Sequence, residues 1–190
     1  MFKNNLNYYQ NGQFLGRDQT VNNYASQYNI ALSQFKSALA KGKFAHLKRR
    51  ILRRPQRLYD LNDLKPKLSL LGSFYSGIEV VRVDAIIGSE GRTADFDIDF
   101  FPVSEAGRER WINMAIVYLS RLPLPPIQLI QIGNAYFVRD GHHRISVGRA
   151  CGQVAMDAEV VTWKVVPPYP WQGNAMPEAL GCLKKLDLPV

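Results

Sequence analysis

From about Val21, apolar and aromatic residues recur at three- and four-residue steps. Tyr24, Tyr28, Leu32, Phe35 and Leu39 keep to one face of a helix. Residues 1–20 are polar, hold Gly12 and Gly16, and read as a frayed leader. Lys41-Gly42-Lys43 predicts a break, because glycine is a poor helix former. Phe44, Leu47 and Ile51 resume the period, and Arg54-Pro55 closes it, since proline restricts the residue before it. Two short helices or one kinked helix are therefore expected. Residues 59–64 suit a helical turn, and Gly72 and Gly77 mark loops. Residues 78–83 are rich in β-branched side chains and predict a strand. Residues 86–92, with Gly88 and Gly91, read as a polar loop. Residues 105–122 predict a helix with Trp111, Met114, Ala115, Tyr118 and Leu119 on one side, ended by Pro123, Pro125 and Pro126.

The next segment has the clearest pattern. Residues 127–132 and 135–139 predict two strands, and Gly133-Asn134 is a two-residue hairpin signal because both tolerate positive φ. Asp140-Gly141 then turns the chain into a helix over 142–151, and Gly152 sits where a terminating glycine belongs. Residues 158–165 predict a last strand, and the tail from Pro167, rich in Pro, Gly and Trp, an irregular strap. The fold class expected is α+β: a small mixed sheet with helices. A basic helical extension, residues 1–60, precedes a domain over 61–190.

Composition adds compartment and charge. The chain has 190 residues, 46% of them hydrophobic, enough for one buried core. No apolar run approaches the ~20 residues needed to span a bilayer, and the Asn- and Tyr-rich start has no secretory apolar region. Cys151 and Cys182 are the two cysteines; without metal spacing they suggest a reducing compartment, hence the cytoplasm. Charge is uneven. Residues 1–57 contain eleven Lys or Arg and one acid, for +10, while 58–190 carry −2 and the whole chain +8. Such asymmetry points the first segment toward a nucleic acid, an anionic surface or an acidic partner.

The candidate chemistry lies at Asp140-Gly141-His142-His143-Arg144. A strand feeds a glycine turn that opens a helix, so the free N–H groups of the first helical turn and its partial positive charge face the turn. Two histidines, Arg144 and, further along the helix, Arg149 complete an anion site suited to phosphate. Gly141 would allow close approach of a ligand to the backbone. Adjacent helical side chains diverge, so His142 or His143, and not both, should touch the ligand.

This stretch resembles the second signature box of the ParB/sulfiredoxin superfamily. ParB-type partition proteins carry Gly-Glu-Arg-Arg at the turn, and sulfiredoxins carry Gly-Cys-His-Arg. Other ParB-like domains, among them a free-serine kinase family, carry Asp-Gly-His-His-Arg. The resemblance spans about residues 78–163. Val81-Arg82-Val83-Asp84-Ala85-Ile86 resembles the first strand and turn of that fold, and 111–122 the helix before its Pro-Pro strand. Residues 88–92, Asp95-Phe96-Asp97 and 108–111 are similar to an uncharacterised bacterial group. The resemblance implies that Gly141, His142, His143 and Arg144 hold nucleotide phosphates, with Arg92 near an arginine of the first ParB box. His142 stands where sulfiredoxin has its catalytic cysteine, which argues against sulfinic-acid reduction. Cys151, a helix later and expected to be buried, is no substitute. The DNA-reading helix-turn-helix that follows the box in full partition proteins has no counterpart in the ~38 residues after Gly152.

Three further groups carry expectations. Asp95, Asp97 and Asp99 alternate with Phe96, Ile98 and Phe100. In an extended segment they would share one face, as a divalent-cation site, a general base or a solvated surface. Glu90 and Arg92 flank Gly91 and either join the site or pair with each other. The segment 36–57 has nine basic residues and no acid; Lys48, Arg49, Arg50, Arg53 and Arg54 form a nucleic-acid footprint or dock on the acidic remainder. The function expected is a nucleotide- or phosphate-binding ParB-like module with a nucleic-acid-associated or regulatory role. The rivals are a phosphotransferase or nuclease, with a divalent metal and Glu90, Asp95, Asp97 or His143 as catalytic candidates, and a non-catalytic interaction domain.

Overall fold

The structure, a computed structural model, describes residues 17–53 and 57–172, with side chains from Tyr24 onward. Arg54, Cys182 and the end of the Pro-rich tail lie outside the described residues. A single α-helix, α1 (Arg17–Ile51), opens it. The expected break at Gly42 is absent. Gly42 is buried where α1 crosses the following domain, and a Cβ there would collide with the Pro102 carbonyl oxygen. Its glycine serves close approach and does not end the helix.

Because the helix runs on, its phase is not reset. Ala31, Phe35, Ala38 and Leu39 are buried against Trp111, Ile112, Ala115 and Val147. Phe44 lies nine residues past Phe35, about two and a half turns, and so faces away. Phe44, Leu47 and Ile51 are 69%, 55% and 73% exposed, which corrects the expectation that they extend the core stripe.

The remaining elements follow in order: β1 (Tyr59–Asp60), α2 (Leu61–Leu64), β2 (Ser69–Arg82), β3 (Ile86–Ser89), α3 (Arg108–Leu119), β4 (Ile127–Ile132), β5 (Ala135–Asp140), α4 (His142–Ala150) and β6 (Ala155–Val166). The fold is α+β, with one mixed six-stranded sheet in the order β1-β3-β5-β4-β6-β2. The β4–β5 hairpin and β6–β2 are antiparallel, and the other pairs are parallel. Two expectations change. Gly72 and Gly77 sit inside β2 beside two bulges, not in loops, because β6 offers a ladder along the whole of β2. Residues 86–89 are a strand, not a loop, paired parallel to β5.

Both sheet faces are covered. Val81, Ile127, Leu129, Val138 and Val160 pack with Phe100 and with Ile145 of α4 on one side. Ile130, Ile132, Phe137 and Trp163 pack with Leu61 and Trp171 on the other. Trp171 belongs to the strap after β6 and stacks on Tyr169. Over the first face, α3 and α4 carry α1 as an outer tier. No helix among the described residues is long and apolar enough to cross a membrane.

Candidate anion-binding cleft

The β5–α4 turn forms as its sequence predicts. Gly141 takes φ 103° and caps α4, a left-handed conformation that costs glycine little. Its missing side chain is not room for a ligand. A Cβ would meet Ile127 Cγ2 at 2.7 Å and Arg144 Nε at 3.2 Å. The glycine lets the turn close on its own neighbours, which corrects the close-approach expectation.

The two histidines do diverge. His142 is 6% exposed, stacks on Phe96 and lies 2.5 Å from Ser89 Oγ through Nε2. The Ser89 hydroxyl also contacts the Gly91 and Val138 carbonyl oxygens, which only accept. The hydroxyl has one proton for these neighbours; where it goes to a carbonyl, His142 Nε2–H donates to Ser89. This arrangement locks the β3 end to the α4 start. Burial, then the charge of Arg92, lowers the His142 pKa to about 4.

His143 turns the other way. It lines an open cleft of about 590 Å³ with Arg92, Asp95, Glu105, Ala106, Gly107, Arg108, Glu109 and Arg110. Gly107 caps α3 at φ 78°, and a Cβ there would stand 3.1 Å from His143 Cε1. The α3 start and the α4 side chain are thus pressed together. Arg92 Nη1 donates to His143 Nε2 at 3.3 Å. Arginine has no acceptor, so the His143 proton sits on Nδ1, which is buried without a partner among the described residues. Burial, then Arg92 and Arg110, lowers the His143 pKa to about 4, and the ring is neutral at pH 7. Arg108 is held by Glu105 at 3.9 Å and Glu109 at 3.1 Å. Among the described residues no carboxylate forms an ion pair with Arg92 or Arg110. Two guanidinium groups outside any ion pair among the described residues therefore flank a neutral imidazole, with Asp95 in the same lining.

Other expected site residues lie elsewhere. Arg144 is 8% exposed. Its guanidinium donates to the Pro125 and Pro126 carbonyls at 2.5 and 2.6 Å and to Asp140 at 2.5 Å. Its guanidinium holds the Pro-Pro segment against the turn, in place of the open anion contact expected of it. Arg149, in the last turn of α4, stands 4.0 Å from Asp99, at the opposite end of the helix from the turn. Glu90 pairs with Arg139 at 3.1 Å, not with Arg92. Cys151 is exposed, not buried.

The acidic run is not extended. It folds into turns in which buried Asp97 accepts the Asp99 and Phe101 backbone N–H groups at 3.0 and 2.8 Å. Arg49 of α1 reaches both Asp97, at 3.2 Å, and Asp99, at 2.5 Å. Burial outweighs these donors and raises the Asp97 pKa to about 6. Asp95 alone of the three lines the cleft. No group of three His, Cys, Asp or Glu suited to a metal ion occurs among the described residues. Arg49 thus docks α1 within the chain, while Lys48, Arg50 and Arg53 stay exposed.

Sequence reasoning missed Ser89, Phe96, Gly107 and Arg110. Gly107 ahead of an amphipathic helix was a legible cap signal. The Ser89–His142 contact joins residues 53 apart and left no local trace. Comparison of the chain with protein-family models, with curated proteins and with solved structures gave no match.

Proposed function

We propose that this chain binds a phosphate-bearing small molecule, of the nucleotide class, in the cleft between the loop after β3, the start of α3 and His143. The observation that carries this reading is the pair Arg92 and Arg110, free of carboxylate partners among the described residues, beside a neutral histidine. Arg92 offers one N–H to His143 and keeps the rest of its fork for oxygen acceptors. The ParB/sulfiredoxin-like assignment is part of the same proposal. It is supported by the strand–glycine turn–helix at 135–150 and by the position of His143 at that helix start. Within that reading Arg92 takes the phosphate contact, and Arg144 supports the turn.

The test is a thermal-stability screen against inorganic phosphate and nucleoside 5′-mono-, di- and triphosphates. A ligand at a hundred times its Kd should stabilise the protein by about 2.7 kcal/mol, a shift of a few degrees in Tm. Arg92→Ala and Arg110→Ala should each weaken binding about tenfold to a hundredfold, the loss of one charge-assisted contact of ~1.5–3 kcal/mol. Absence of any shift in the wild-type protein, or undiminished affinity in both variants, would overturn the proposal.

A further inference from the structure

The second half of α1 has two faces. At about 100° per residue, Phe35, Ala38, Gly42 and Arg49 fall on the side that meets the domain, against Trp111, Pro102, Asp97 and Asp99. Phe44, Leu47 and Ile51 fall within an arc of roughly 60° on the opposite side, and all three are exposed. Leu52, just past the helix, is exposed beside them. Because α1 is the outer tier of the fold, this ridge points away from the molecule. Single exposed apolar side chains are ordinary. A contiguous ridge with a polar rim marks an interaction surface.

The charge of that rim selects the occupant. By helical phase, Lys43 and Arg50 flank the ridge on one side, and Lys41 and Lys48 on the other. All four are exposed, and none forms an ion pair among the described residues. Lys41 lies over the Phe101 ring and keeps its charge at the rim. The segment 36–57 holds no acid. The segments outside the described residues bring no net negative charge to it. Residues 1–16 have one Lys and no acid, 54–56 one Arg, and 173–190 two acids against two Lys. What fits the ridge is therefore apolar at its centre and anionic along its borders.

A nucleic acid meets the charge but not the ridge. Its surface takes hydrogen bonds and aromatic stacking, and Leu47, Ile51 and Leu52 offer neither. A protein groove encloses the helix it binds, and the inner side of α1 is already taken by its own domain. A plane of anionic phospholipid meets both features. Acyl chains receive the ridge and headgroup phosphates receive the cations, as for helices that lie in a membrane interface.

We propose that residues 41–53 form a peripheral membrane-binding face: Phe44, Leu47 and Ile51 enter the acyl boundary of an anionic bilayer, and Lys41, Lys43, Lys48 and Arg50 rest on its phosphates. The face belongs to α1 alone and does not depend on the phosphate cleft.

Co-sedimentation of the full chain with vesicles tests this. The wild-type protein should pellet with vesicles of phosphatidylglycerol and phosphatidylcholine in equal parts, and stay in solution with phosphatidylcholine alone. Each cation near such a surface is worth about fivefold in affinity, so Lys43→Gln with Lys48→Gln and Arg50→Gln should weaken binding about a hundredfold. Phe44→Ala with Leu47→Ala and Ile51→Ala places a good helix former at exposed positions. Its circular dichroism and thermal transition should be kept, while vesicle binding falls about a hundredfold or more. A wild-type protein that leaves anionic vesicles unbound at low salt would overturn the proposal, as it would if another segment of this chain covers the ridge. A folded triple-alanine variant that binds vesicles undiminished overturns it too, because the cations alone then account for binding. Binding to duplex or single-stranded DNA that triple alanine leaves intact, with no vesicle binding, would assign the segment to nucleic acid and overturns it equally.

Discussion

At Arg144 one guanidinium holds the Pro125 and Pro126 carbonyls and the Asp140 carboxylate together. Alanine would remove all three contacts at a part-buried site, and hydrogen bonds from a charged group contribute ~1.5–3 kcal/mol each where they are sheltered from water. Arg144→Ala is therefore expected to lower stability by about 2–4 kcal/mol, read as a fall in urea midpoint at unchanged m-value. Arg92 and Arg110 carry the same head group at the rim of the cleft, where the fold uses only one N–H of Arg92, toward His143. Their alanine variants should unfold within about 0.5 kcal/mol of the wild-type protein, as surface substitutions generally do. Stability and ligand affinity thus separate Arg144 from Arg92, which sequence alone groups together, and place Arg110 with Arg92.

For an element, the sign of a substitution depends on what the helix passes. On propensity alone Gly42→Ala should stabilise α1 by roughly 1 kcal/mol. The added methyl would instead run into the Pro102 carbonyl, a backbone atom that cannot step aside, and overpacking costs ~1–3 kcal/mol. The expected outcome is a net loss, checked by the denaturation midpoint of Gly42→Ala. The same glycine explains why part of the fold was not legible. Local patterns located α3, the β4–β5 hairpin, α4 and β6, each of which carries its own period and stop signals. They failed at Gly42 and at Gly72 and Gly77, where glycine answers to a neighbour distant in sequence: Pro102 for the first, β6 for the others. The candidate turn was legible to the residue, but its roles were not. Arg144 and Arg92 differ by their tertiary partners, and Arg49 faces an acidic turn that the alternation of Asp and Phe presented as a strand.

Across the whole molecule, two buried groups, His142 and Asp97, and the half-buried His143 shape how stability follows pH. His142 and His143 have pKa values lowered from 6.5 to about 4, so the folded state holds them neutral. Their contribution is complete above pH 6.5 and is lost as pH falls toward 4. Asp97 is raised from 3.8 to about 6, so its contribution is complete below 3.8 and is lost as pH rises through 6. Each shift is worth about 3 kcal/mol at ~1.4 kcal/mol per unit. Two histidines outweigh one aspartate, and a net loss of about 3 kcal/mol is expected between pH 6.5 and 4. Urea midpoints at pH 7, 5.5 and 4.5 check the trend, and His143→Gln should flatten it. A stability that rises toward pH 4.5 would contradict this balance.

The pairing of β2 with β6 also bears on how the chain comes off the ribosome. The innermost pair of that ladder, Arg82 with Ala155, joins residues more than 70 positions apart. At roughly 5–20 residues per second of synthesis, β2 waits several seconds or more before its partner exists. During that time both of its edges are open, with Leu70, Leu71, Phe74, Tyr75, Ile78 and Val80 in a nearly uncharged run. Nascent chains on the same message would carry that run side by side. The strand that completes the sheet last is thus the first aggregation-prone segment to be made, and yield in a cell should depend on translation speed and chaperone capacity between residues 82 and 166 more than on the stability of the finished fold.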